Sequence, residues 1–146
     1  MNLKFYTDGA YSSARNAGGI GIVCLQDDEV ILKYSRKYTN TTNNRMEMKA
    51  VILSLKSIQQ KVDSITIVSD SQYVIGCATK GWKRKKNVDL WEEYDEAFLY
   101  ASQFCSDIKF EWVHGHTGDR YNEMVDTLAV KASQELWVEF VNQIVI

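Results

Sequence analysis

The chain has 146 residues, 45% of them hydrophobic and 25% charged, with a formal net charge of −2. That is the size and composition of one ordinary globular domain with enough apolar material for its own core. No apolar run approaches the ~18 residues that a membrane span needs, and Met1 to Asp8 lacks the apolar core of a signal peptide. The slightly acidic sum excludes a bulk polycation, so any contact with nucleic acid has to come from charge placement.

Leu3 to Asp8 alternates apolar and polar residues and predicts a first strand, closed by the turn chemistry of Asp8-Gly9-Ala10 and a loop over 11–17. Gly18 to Leu25 and Val30 to Tyr38 predict two more strands, with Asp27-Asp28 as the hairpin turn between them. The polar cluster from Thr39 to Asn43 offers Thr42 and Asn43 as N-caps. The helix they open runs to about Gln60, with Glu47, Ala50, Val51, Ser54 and Ile58 on one stripe. Ile65 to Val68 is a short strand, and Asp70-Ser71 opens a short helix through Tyr73, Val74 and Ala78. A basic loop, Lys80 to Lys86, leads to a helix from about Asp89 to Phe104. Ile108 to Val113 is a further strand, His114 to Arg120 a polar loop, and a final helix begins near Asn122.

Early hairpins followed by strand–helix alternation predict an α/β fold: a mixed five-stranded sheet flanked by helices. Residues 1–146 form one domain. The unusually apolar stretch from about 134 to 146 extends the last helix, adds an edge strand or offers a dimer surface; a monomer is expected otherwise. Cys24, Cys77 and Cys105 are widely spaced and odd in number. They point to free thiols in a reducing compartment, the cytoplasm, and not to a disulfide framework.

Four carboxylates fall at element boundaries. Asp8 and Asp70 sit at the carboxyl ends of strands, where open α/β sheets form their sites. Glu47 lies on the apolar stripe of the first long helix, and Asp126 shares a face of the last helix with Ala129, Val130 and Ser133. Singly, Asp8 reads as a turn residue, Asp70 as an N-cap, Glu47 as a first-turn acid and Asp126 as a surface residue. Jointly they read differently, because a carboxylate on an apolar stripe is costly unless paired or bound to a cation. Mg²⁺ takes a few carboxylates plus water and phosphate, and two ions about 4 Å apart clamp the attacking and leaving oxygens of an in-line phosphodiester displacement.

The segments around these acids resemble, in order, the type 1 ribonuclease H family. They are Thr7-Asp8-Gly9-Ala10, Thr42-Asn43-Asn44-Arg45-Met46-Glu47, Ser69-Asp70-Ser71-Gln72-Tyr73-Val74, Asn87-Val88-Asp89-Leu90-Trp91, Trp112-Val113-His114-Gly115-His116-Thr117-Gly118, and Asn122-Glu123 with Asp126. The resemblance covers roughly residues 3–133. It implies a metal-dependent endonuclease that cuts the RNA strand of an RNA/DNA hybrid with two Mg²⁺, or Mn²⁺, ions per site. In that likeness Asp8 bridges both metals, and Asp126 completes the one that activates water. Glu47 and Asp70 serve the one that stabilises the leaving oxygen. His116 matches the family histidine that assists turnover, while His114 falls where relatives often carry lysine.

Asn43, Asn44 and Gln72 match residues that touch the minor groove, where 2′-hydroxyls distinguish RNA from DNA. Thr42 matches a phosphate-contacting threonine. Trp82, Trp91 and Trp112 are candidates for stacking on or lining the DNA groove. In the basic loop, Lys83, Arg84, Lys85 and Lys86 around Trp82 form a phosphate-tracking patch. Three features depart from the family: residues 11–17 lack its Asn-Pro-Gly-Pro pattern, the basic segment is short, and the tail is apolar. A binding module without catalysis and another two-metal nuclease, such as a DNA resolvase, are the rival readings.

Overall fold

A computed structural model, describing residues 1–115, 118–134 and 139–142, contains β1 (Asn2–Ser12), β2 (Ala17–Gln26), β3 (Glu29–Thr39), α1 (Asn43–Lys56), β4 (Ser64–Ser69), α2 (Gln72–Thr79), α3 (Val88–Ser102), β5 (Ile108–Trp112), α4 (Arg120–Gln134) and β6 (Glu139–Asn142). The sheet order is β5-β4-β1-β2-β3-β6. β1, β2 and β3 form an antiparallel meander, and β4 and β5 run parallel beside β1. The expected mixed sheet of five strands is present, and the tail adds a sixth at the edge, antiparallel to β3.

Local chemistry explains most element starts. Thr42 caps α1, its Oγ1 accepting from the Arg45 amide at 3.2 Å. The helix ends at Lys56, short of the expected Gln60: Glu47, Ala50, Val51 and Ser54 of the predicted stripe are buried on it, and Ile58 is buried just beyond its end. Ser71 caps α2 by accepting from the Val74 amide at 3.1 Å. β1 differs from expectation. It continues through Gly9, Ala10 and Tyr11 to Ser12, because each of these residues has a partner on β2. Ladder hydrogen bonds from a distant strand outweigh the turn preference of Asp8-Gly9.

Side chains alternate across the sheet. Leu3 and Phe5 of β1 join a large cluster with Met48, Ile52 and Leu55 of α1 and Trp91, Tyr94 and Ala97 of α3. Tyr6 points the other way, into a smaller cluster with Val23, Leu25, Val68 and Val125 of α4. α1 and α3 therefore cover one face and α4 the other. Each fully buried large side chain in these clusters contributes roughly 1.5–3 kcal/mol.

Two sequence assignments are corrected. Trp91 is 2% exposed and belongs to the core, its Nε1 donating to the Tyr73 hydroxyl at 3.0 Å; it does not line a groove. Val130 is exposed. The buried face of α4 runs through Asn122, Val125, Ala129, Ala132 and Ser133, and Asp126 stands half-buried at its margin. No helix among the described residues is long and apolar enough to cross a membrane.

Candidate active site

β1 and β4 pair only as far as Tyr6 and Val68. Beyond that pair the parallel ladder ends; Asp8 follows two residues on, inside β1 where it pairs with β2 alone, and Asp70 follows just past the end of β4. Asp70 is not the cap of α2, a role Ser71 fills. Its main-chain oxygen instead accepts a hydrogen bond from Trp112 Nε1 at 3.2 Å.

Two glycines bring helices down onto this point. A Cβ at Gly9 would fall on the backbone of Met46 and Glu47. Only glycine lets the start of α1 sit this close to β1. The Gly9 amide then donates to Asp8 Oδ1 at 2.9 Å and, in a short hydrogen bond, to Glu47 Oε1. On the opposite face, Gly21 is the cross-strand partner of Asp8, and a Cβ there would fall on the Val125 carbonyl of α4. That close approach brings the Asp126 carboxyl beside that of Asp8.

Oxygens of Asp8, Glu47 and Asp70 lie within 4.8 Å of one another; Asp126 flanks this trio through Asp8. Asp8 is 5% and Glu47 4% exposed. Burial, joined by the charge of Asp70 and the neighbouring Asp126 carboxyl, pushes Asp8 up to about 7 against the opposing bonds from Glu47 and the Gly9 amide. Burial, then the neighbouring Asp8 charge, pushes Glu47 well above the usual carboxylate range. Among the described residues, Glu47 Oε2 is buried with no hydrogen-bond partner. A crowded, buried set of carboxylates with an orphaned oxygen is relieved by a proton or by a hard cation that prefers oxygen ligands. The trio is thus compatible with a divalent metal ion.

The remaining candidates surround this centre unevenly. Asn43 and Asn44 are exposed on the first turn of α1, and Gln72 is exposed at the start of α2, two residues from Asp70. Thr42 is also exposed, but its hydroxyl is engaged as the cap. Trp82 is 47% exposed, with part of its ring against Gly76 of α2. Lys83, Lys85 and Lys86 are exposed.

Arg84 is turned inward. Its guanidinium lies 4.5 Å from the Trp91 ring centroid, Nε donates to the Cys77 carbonyl at 3.2 Å, and Nη1 meets Asp95 at 2.8 Å. It anchors the loop, where the basic run suggested one more solvent-facing charge. Trp112 is half-buried, its ring 4.3 Å from that of His114. His116 lies outside the described residues. Sequence reasoning missed Gly9, Gly21 and the Trp112 tie. The three glycines of β2 inside a fully buried strand were the available signal, since interior strand glycines often mark close backbone approach.

Comparison with known proteins agrees with this geometry. The family pattern for RNase H matches residues 1–134. The Ribonuclease H of Trichodesmium erythraeum (strain IMS101) is 39% identical over 144 residues, covering 92% of this chain and 90% of that protein. The Ribonuclease H of Lachnoclostridium phytofermentans is 40% identical over 152 residues, covering 91% and 92%. The crystal structure of RNase H1 from the halophilic archaeon Halobacterium salinarum NRC-1 matches with a TM-score of 0.74 over 93% of this chain and 100% of that one, at 24% identity, a likeness of fold. With one family pattern spanning most of its length and relatives this similar across nearly all of theirs, the chain belongs to the ribonuclease H family.

Proposed function

We propose that the protein is an endoribonuclease that hydrolyses the RNA strand of RNA/DNA hybrids by a two-metal mechanism, leaving 5′-phosphate and 3′-hydroxyl ends. The observation that carries the reading is the trio of buried Asp8 and Glu47 with half-buried Asp70, and Asp126 beside it. Two Mg²⁺ ions, with Mn²⁺ as a substitute, supply a sharpened water nucleophile and charge stabilisation at the leaving 3′ oxygen when bound. Asp8, central to the cluster, would be the residue shared between them. Asp126, reaching Asp8 from α4, serves the water side. Glu47 and Asp70 serve the leaving-group side, and the partnerless Oε2 of Glu47 is a ligand oxygen in waiting. His116 moves a proton or helps product leave, as an imidazole can.

Asn43, Asn44 and Gln72 offer amide donors and acceptors to 2′-hydroxyls and base edges in the minor groove. Thr42 meets a phosphate of the DNA strand. Trp82, Lys83, Lys85 and Lys86 track the backbone electrostatically, with Arg84 holding their loop in shape. Residues 1–146 act as one domain whose apolar tail begins near 134, a reading supported by the pairing of β6 on β3. The three buried free cysteines suit the reducing cytoplasm. The protein acts as a monomer, and the tail is the surface a dimer would use.

The test is cleavage of one sequence presented as hybrid, double-stranded RNA and double-stranded DNA, with Mg²⁺, Mn²⁺ or chelator, beside Asp70→Asn. We expect metal-dependent cutting of the hybrid's RNA strand alone, with 3′-hydroxyl products, and none from the variant. Products ending in a 2′,3′-cyclic phosphate would overturn the mechanism. Equal cutting of DNA would overturn the substrate.

A further inference from the structure

Three helix starts are tied together by side chains beside the acidic centre. The Tyr73 hydroxyl, in the first turn of α2, accepts from Asn87 Nδ2 at 3.1 Å and from Trp91 Nε1 at 3.0 Å. It also lies 3.5 Å from the Lys86 carbonyl. Asn87 precedes α3 in a left-handed conformation, φ 57°, which asparagine tolerates. It occupies the N-cap position of α3, yet its side chain makes no capping hydrogen bond. The amide bridges outward instead: Nδ2 reaches Tyr73, and Oδ1 accepts from Arg45 Nη1 at 3.4 Å. Arg45, in the first turn of α1, forks onto Asp89 of α3 at 3.0 and 2.8 Å. One run of hydrogen bonds, Arg45 to Asn87 to Tyr73, thus spans the amino ends of α1, α3 and α2.

The residues next to the ends of that run are the exposed amides: Asn43 and Asn44 precede Arg45, and Gln72 precedes Tyr73. Both sets sit on first turns, so the span between them follows the relative placement of α1 and α2. Duplexes differ in groove width, from the narrow minor groove of B-DNA to the wide, shallow one of A-form RNA. Two sets of amides held at a fixed span choose among duplexes by geometry, which charge alone cannot do. A different arrangement, with Asn87 capping its own helix, would have left the first turn of α2 without this tie to α1.

We propose that Tyr73 is a positioning residue for substrate choice. Its hydroxyl, acting through Asn87 and Arg45, holds the α2 amide of Gln72 at the span from Asn43 and Asn44 that fits a hybrid. The inference rests on the hybrid-cutting reading of the acidic centre. Tyr73→Phe keeps the ring, 6.0 Å from Trp91 and tilted against it, and removes only the hydroxyl, with its 3.5 Å donation to the Lys86 carbonyl. Two donors lose their partner, and the pre-organised span loosens, which weakens recognition without touching the reacting atoms.

The experiment measures affinity for hybrid, double-stranded RNA and double-stranded DNA of one sequence by fluorescence anisotropy, in the non-cleaving Asp70→Asn background with Mg²⁺. Steady-state kinetics on otherwise unaltered enzyme run alongside. For Tyr73→Phe we expect hybrid preference over double-stranded RNA to fall roughly three- to tenfold, KM to rise by a similar factor, and kcat to stay within about twofold. Asn87→Gly, which keeps the left-handed backbone and removes the bridge, should show the same loss, so the proposal does not hang on one variant. Unchanged preference in both variants overturns it. So does a fall in kcat with KM and preference unmoved, the signature of a merely structural bond. If the parent protein itself shows no preference for hybrid, the hybrid-cutting reading fails and takes this one with it. A parent that prefers hybrid beside variants that prefer it equally sinks this inference alone.

Discussion

Asp8→Asn should stabilise the metal-free protein at alkaline pH and do nothing for it in acid. Asp8 is raised, chiefly by burial, from 3.8 to about 7. Between those values the folded chain keeps a proton that the unfolded chain has released, so stability is greatest below about pH 4 and is lost as pH rises through 7. An acid held protonated across about three pH units corresponds to a ceiling of about 4 kcal/mol at ~1.4 kcal/mol per unit. Interaction with Glu47 and admission of water lower that, so on the order of 2–4 kcal/mol is expected. Asparagine offers the Gly9 amide the same oxygen without the charge, and Glu47 loses its nearest repelling neighbour.

The assay is thermal unfolding by circular dichroism with chelator present, at pH 4 and pH 9, for both proteins. The variant should melt about 6–12 °C above the parent at pH 9, taking about 3 °C per kcal/mol for a domain of this length, and level with it at pH 4. Excess Mg²⁺ should raise the parent's melting temperature and raise the variant's much less, by mass action on the folded state. A variant no more stable than the parent at pH 9 without metal would refute the reasoning, because the buried charge would then carry no penalty.

Gly9→Ala puts a Cβ onto the backbone of α1. It should lower stability by about 1–3 kcal/mol in urea unfolding and reduce cleavage further than the unfolded fraction explains; wild-type activity would count against the close-approach argument. Changing Lys83, Lys85 and Lys86 to glutamine should shrink the slope of log affinity against log salt by up to ~0.9 for each phosphate no longer neutralised, measured by anisotropy on hybrid. Arg84→Gln should leave that slope alone and lower the melting temperature, since its stack on Trp91 and bond to Asp95 are worth about 1–2 kcal/mol together. His116→Ala should slow turnover by about 10²–10⁴-fold with hybrid affinity little changed. His114→Ala should do much less, and the reverse order in steady-state kinetics would reassign the pair.

What the sequence reveals follows the reach of its signals. The stripe from Glu47 to Ile58 is legible because helical period is a local property, and burial of that stripe places Glu47 beside Asp8. The end of β1 is not, because the partners of Gly9 to Ser12 lie on β2 and only pairing reveals that Asp8 sits inside a strand. Arg84 looks like its basic neighbours, yet its partners Trp91 and Asp95 wait on the next helix. The inward lean of Asp126 is legible from helical spacing, but the limit of the buried face, which stops short of Val130, is set by how α4 rolls against the sheet. The apolar tail leaves three outcomes open, and pairing of β6 with β3 depends on an edge no local pattern advertises.

Because Glu47 and Asp126 descend from helices on opposite faces of one sheet, with Asp8 on the strand between them, the first half of the chain holds Asp8, Glu47 and Asp70 but not the fourth carboxylate. A refolding species in which α1 and α3 have collapsed onto the meander would already carry the larger cluster and most of its far-ultraviolet signal, yet lack the carboxylate delivered by α4. Regain of cleavage therefore requires both layers to have docked, and not helix formation alone. It should trail ellipticity in time, which makes turnover a clock for completion of the second layer.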